Sequence, residues 1–181
     1  MKNIEILGKK EQIKRESVFC FGTAVAVAVM LMVLVLPTTV KETSMQPTID
    51  PEDHLIVSRQ AYTIGHVQRG DIIVFKSDLK DENTGKKKYL IKRVIGVPGD
   101  IITIANGNVY INGSKVRESY IGEERTDGDI HNLKVGSDEL FVMGDHRSVS
   151  RDSRLMGCIK QSRIKGKAVF RYSPLSKFGR I

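Results

Sequence analysis

A chain of 181 residues has room for one ordinary domain and a short appendage. With 40% hydrophobic and 28% charged residues it has the composition of a folded protein, which excludes disorder as the default state. A formal net charge of +8 favours anionic partners, while the low aromatic content and absence of tryptophan argue against stacking platforms for single-stranded nucleic acid.

The first 16 residues are basic, with Lys2, Lys9, Lys10, Lys14 and Arg15. Residues 18–36, "VFCFGTAVAVAVMLMVLVL", then run for 19 positions without a charge. At a rise of roughly 1.5 Å per residue, such a helix approaches the ~30 Å hydrocarbon thickness of a bilayer. A cleaved secretory leader has a shorter apolar region and a small-x-small site after it, whereas Pro37-Thr38-Thr39-Val40 follows here. The expectation is an uncleaved transmembrane helix over 17–37. Residues 37–56 have Lys41 as their one lysine or arginine, so the positive-inside rule leaves 1–16 in the cytoplasm and places 38–181 outside. That location weakens a nucleic-acid reading and sets the basic surface against anionic membrane lipid.

The exported part reads as β-structure. "HLIVS" (54–58), "DIIVF" (71–75), "YLIKRVIGV" (89–97), "IITIA" (101–105), "VYIN" (109–112), "ELFVM" (139–143) and "KAVFRYS" (167–173) are β-branched or apolar runs between turn residues. Asn106-Gly107-Asn108 is a strong hairpin signal, because Asn-Gly readily takes positive φ. The charged stretches 78–88 and 113–138 read as solvated loops or hairpin tips, and no soluble helix stands out. The predicted fold class is therefore mainly β, one antiparallel domain behind a membrane helix. Cys20 in the apolar run and Cys158 far downstream make a disulfide improbable and support no metal site.

"ETSMQPTID" (42–50) offers Ser44 directly after the greasy run, and a nucleophile needs a base. His54, His66, His131 and His146 are available, and Asp145-His146 in a Gly-bounded turn keeps a Ser-His-Asp triad open. Lys92 is the other candidate. Alternation along 89–97 puts Leu90, Lys92, Val94 and Gly96 on one face, so apolar neighbours flank the lysine. Desolvation lowers a lysine pKa, and reaching about 8 from about 10.4 takes roughly 3 kcal/mol. The bland alternative is a lysine whose stem lies on apolar surface with its charge in water.

"SMQPTI" (44–49), "RGDIIVF" (69–75), "KRVIGVPGD" (92–100) and "GDHRSVSRDSR" (144–154) occur in this order behind the apolar run. Together they resemble the type I signal peptidases, especially the short, single-anchor bacterial kind, over about residues 18 to 172. The resemblance implies a signal-peptidase-like β domain and a serine endopeptidase working through a Ser-Lys pair, without cofactor or metal. Its substrates are preprotein signal peptides, cut after small, Ala-X-Ala-like residues. On this resemblance Ser44 is the nucleophile and Lys92 the general base. Ser150 hydrogen-bonds and orients the lysine, Asp152 and Arg154 form a supporting pair, Asp145 and Arg147 shape the same loop, and Met45 packs near the scissile bond. Two positions depart from the pattern: His146 stands where relatives commonly have Asn, and Glu42 where some have a hydroxyl that donates into the oxyanion hole. A non-catalytic, membrane-tethered assembly factor on the same fold is the alternative, and a self-cleaving regulator would need a DNA-binding domain in place of the first 36 residues.

Overall fold

The computed structural model describes residues 15–27, 34–63, 65–82, 84–122 and 125–181. The chain forms two compact units, Met1–Leu36 and Pro37–Ile181. In the first, residues 15–27 are helical. Residues 1–14 of the expected cytoplasmic segment and 28–33 of the expected membrane helix lie outside the described residues, and among those described no helix is long and apolar enough to cross a membrane. The chain is already extended at β1 (Val35–Thr39), so the helical reading of 35–37 gives way to strand. Pro37 cannot donate a helical hydrogen bond and Val35, Thr38 and Thr39 are β-branched, which suits a strand at a sheet edge.

The second unit is built on strands, as its alternating patterns require. Beyond β1, the larger sheet uses β2 (His54–Ser58), β3 (Ile72–Lys80), β4 (Lys87–Gly96), β9 (Glu139–Met143), β10 (Ile159–Lys160), β11 (Ile164–Ser173) and β12 (Gly179–Arg180). Their order is β1-β2-β11-β3-β4-β9-β10, with β12 beside β11. A second sheet of β5 (Ile101–Ala105), β6 (Asn108–Ile111), β7 (Ser114–Lys115) and β8 (Ile130–Lys134) runs in the order β7-β6-β5-β8. Asn106 and Gly107 both take positive φ, 53° and 78°, between the paired residues Ala105 and Asn108, as the hairpin signal predicts. The 113–138 stretch is not all loop, since β7 and β8 lie within it and pair with β6 and β5.

Side-chain alternation divides the core. Leu140 and Val142 of β9 join Ile73, Phe75, Leu90 and Val94, whereas Phe141 and Met143 turn to Ile95, Ile102, Ile104 and Val109. Both faces of β9 are thus covered, which explains why "ELFVM" is apolar nearly throughout. A third cluster, Val40, Met45, Ile49, Leu55, Ile72 and Ala168, pins the 40–53 loop to the larger sheet.

Candidate active site

The 40–53 loop closes on itself through Val40 N–H to Asp53 O at 2.9 Å and Glu52 N–H to Val40 O at 2.8 Å. Within it Met45 and Ile49 are buried, and Ile49 N–H bonds Met45 O at 2.9 Å. This presents Ser44 beside β4. Lys92 projects from β4 on the same face as Leu90 and Val94, opposite Ile73 of β3. Its Nζ lies 2.6 Å from Ser44 Oγ, hydrogen-bonded, with Lys92 only 1% exposed and Ser44 8%. Burial pushes the Lys92 amine below its ordinary pKa, and the carboxylates of Glu42, Asp152 and Asp145 pull only partly the other way.

The loop after β9 supports this pair from behind. Gly144 lies so close to Ser44 that a Cβ there would overlap the Ser44 carbonyl oxygen and the Ser150 side chain. Its N–H donates to Asp152 Oδ2 at 3.1 Å, and the His146 N–H donates to Ser44 O at 3.1 Å. The His146 ring stands 3.3 Å from Thr43 O, so this histidine meets the serine through backbone. Asp145 is likewise engaged: it accepts from Arg93 Nε and Nη2 at 2.8 and 2.6 Å and from Thr48 Oγ1 at 2.5 Å. Lys92, not a histidine, reaches the serine hydroxyl.

Asp152 and Arg154, a pair implied by the family resemblance, lie 2.9 Å apart through two guanidinium nitrogens, and Asp152 also caps the one-turn helix Ser153–Met156. Burial would raise the Asp152 carboxyl, but the Arg154 guanidinium, with the Ser150 hydroxyl and the Gly144 N–H, outweighs it and holds it below the usual carboxylate range. Arg154 Nη2 further donates to Arg147 O at 2.7 Å and Ser150 O at 3.3 Å, stapling the loop. Ser150 lies in the same loop, behind the nucleophile. Its Oγ is buried against Gly144 and beside the Asp152 carboxylate, which it helps to keep ionised, while the Lys92 amine is hydrogen-bonded to Ser44.

Several supporting residues escaped the sequence reading. Arg147 is buried and donates to both oxygens of Glu118, at 3.0 and 2.6 Å, to Thr126 Oγ1 and to Gly144 O. Tyr120 stacks under the Arg93 guanidinium, 4.1 Å from its ring centroid, and the Arg147 guanidinium is 5.9 Å away. No short-range motif marks Glu118, Tyr120 or Thr126, because their partners are distant in sequence. Arg93 had a signal, the opposite face of the Lys92 strand.

Two depressions open on Ser44. A groove of about 640 Å³ runs over Val40, Met45, Val74, Tyr89 and Ile91 and is bordered as well by charged residues, Glu42, Asp81 and Lys86–Lys88 among them. A cavity of about 300 Å³ is bordered by Leu90 and Lys92 with Lys80, Lys88 and Arg151. Among the described residues no group of three or more His, Cys, Asp or Glu side chains is arranged to hold a metal.

The family model described as signal peptidase, peptidase S26, matches residues 13–173. The chain belongs to this family. Among signal peptidases similar to it, the signal peptidase I of Bacillus caldolyticus is 37% identical over 183 residues, 93% of this chain and 97% of that protein. The signal peptidase I of Leptolyngbya laminosa is 35% identical over 169 residues, 92% of this chain and 83% of that protein. A crystal structure of a signal peptidase I from Enterococcus faecalis V583 is 31% identical and covers 57% of this chain and 97% of that one, with a TM-score of 0.48. As a member of the signal peptidase family the chain is an enzyme, a serine endopeptidase of the type I kind.

Proposed function

We propose that this protein is a membrane-anchored endopeptidase that removes N-terminal signal peptides from exported preproteins, with Ser44 as nucleophile and Lys92 as its general base. The observation that carries this reading is the 2.6 Å contact between Lys92 Nζ and Ser44 Oγ inside an apolar setting that favours the neutral amine. The neutral amine accepts the hydroxyl proton as Oγ attacks the carbonyl at the end of the signal segment. The tetrahedral oxyanion collapses, the scissile C–N bond breaks, and the lysine returns the proton to the leaving amine. Water, deprotonated by the same lysine, then hydrolyses the ester and frees Ser44. An ionised Glu42 cannot donate a hydrogen bond, so backbone N–H groups, that of Ser44 among them, stabilise the oxyanion.

Small, Ala-X-Ala-like residues before the cut fit the groove over Met45, Val74 and Ile91. β4 pairs with β9 only from Arg93 onward, so Tyr89–Lys92 leave one backbone edge available to an extended substrate. The charge-free run 18–36 and the basic residues before it support an anchor with the N-terminus cytoplasmic and the catalytic unit outside, against anionic lipid. Anchoring confines enzyme and preprotein to one thin layer, which favours their encounter.

The test incubates the full-length protein in lipid vesicles with a preprotein and maps the new N-terminus by mass spectrometry. Wild type should cut once after a small residue, and Ser44→Ala and Lys92→Ala should each abolish the cut while melting as folded proteins. Full processing by Lys92→Ala would overturn the assignment of the base.

A further inference from the structure

The two depressions at Ser44 share Glu42 and Lys88 but otherwise draw on opposite faces of one strand. Both have charged residues in their walls, and the larger one adds an apolar surface of Val40, Met45, Val74 and Ile91. Tyr89 and Ile91 of β4 line the apolar groove, whereas Leu90 and Lys92 line the smaller cavity. Strand alternation puts these pairs on opposite sides. An extended substrate laid along the open edge of Tyr89–Lys92 must alternate in the same way. With its last signal residue turned into the apolar groove, the next side chain, first of the mature protein, turns toward the cavity. The groove also takes in Thr38 and Thr39 of β1, whereas the cavity has no residue of β1 and takes in Val149 and Arg151 of the loop after β9. The cavity is thus where the chain beyond the cut has to pass.

Its walls are charged. Lys80, Lys88 and Arg151 have no ion-pair partner among the described residues, and the carboxylates facing them are Glu42 and Glu82. Lys80 and Arg151 are exposed, so their charge is available to a bound segment. Glu42 and Lys88 border both depressions and therefore sit at the junction between signal and mature protein, whereas Lys80 and Arg151 border the cavity and not the groove.

Resting on the signal-peptidase reading above, we propose that the cavity formed by Lys80, Lys88, Arg151 and Glu42 is a specificity site for the first residue of the mature protein, favouring an acidic side chain and disfavouring a basic one. The ligand class is a carboxylate-bearing residue at the new N-terminus. The apolar side chains of the groove, Val40, Met45, Val74 and Ile91, read size before the cut, and this cavity reads charge after it. Exposed cations give modest, salt-sensitive selectivity.

The experiment uses three preprotein substrates identical up to the cut and carrying Glu, Gln or Lys immediately after it. Values of kcat/KM are measured for wild type, the double variant Lys80→Gln/Arg151→Gln and the control Lys115→Gln on β7 of the second sheet. Wild type and control should favour Glu over Lys by about five- to tenfold, with Gln between and the ratio shrinking as salt rises. The double variant should bring the ratio close to one while still cutting the Gln substrate. Equal rates for all three substrates in wild type overturn the proposal, as does a ratio that survives the double substitution. If wild type cuts none of the three, the peptidase reading itself fails, and this inference with it.

Discussion

Arg147 and Glu118, 29 residues apart, meet through two hydrogen bonds of 3.0 and 2.6 Å, with side-chain exposures of 0% and 5%. One end of this pair belongs to the loop that cradles Ser44, the other to the segment running between β7 and β8 of the second sheet. Removing the carboxylate leaves a buried guanidinium uncompensated, which typically costs about 3–5 kcal/mol. Glu118→Ala should therefore lower the urea midpoint sharply and reduce kcat, while Glu118→Gln should retain more of both. Unfolding curves measured alongside turnover check this; a Glu118→Ala protein with wild-type stability and rate would show that the clamp is idle.

Catalysis by a neutral amine sets the direction of the pH profile. Burial lowers the Lys92 pKa, so kcat/KM should rise with pH along a limb whose midpoint lies below that of a free lysine. A limb centred near ~6.5 would indicate a histidine base instead.

Glu42 is the largest influence opposing that shift, because its carboxylate favours the ammonium form of Lys92. Glu42→Gln should move the rising limb to lower pH without changing the fold. Profiles for the two proteins on one uncharged substrate decide the matter, and a limb that stays in place or moves upward contradicts the coupling.

Gly144→Ala tests the close approach behind the nucleophile. The added methyl collides with Ser44 O, which is backbone, and with Ser150. Such overpacking costs about 1–3 kcal/mol, and the shift of Ser44 should depress kcat more than KM. Unchanged kinetics in this variant would mean that the loop yields freely.

Asp152 links the same loop to acid stability. Its folded pKa lies below the ordinary carboxylate value of about 3.9, so its contribution is present above that value and is lost as pH falls through the folded pKa. Asp152→Asn should be less stable than wild type at neutral pH, and the gap should narrow in acid. Thermal melts from about pH 7 to pH 2 read the difference directly.

Much of this was legible in short stretches of chain. The alternation in "YLIKRVIGV" correctly placed Lys92 among Leu90 and Val94, and Asn106-Gly107 marked its turn, because both depend on period-two geometry and local φ. The helix expected through residue 37 ended sooner, at a β-branched segment that pairs in a sheet. The charged 113–138 stretch hid β7 and β8, whose partners β6 and β5 supply what their own composition does not.

By itself the sequence determined the β class, the face that carries Lys92 and the presence of Ser44, since backbone propensity and alternation act over a few residues. Only tertiary structure decided that the amine of Lys92 meets the Ser44 hydroxyl, that Asp145 is taken by Arg93, that Ser150 turns against Gly144 and that Arg147 is matched by Glu118. Those pairings join residues 6 to 52 positions apart. Nothing local distinguishes one candidate partner from another until strand order and register bring a particular two within hydrogen-bond reach.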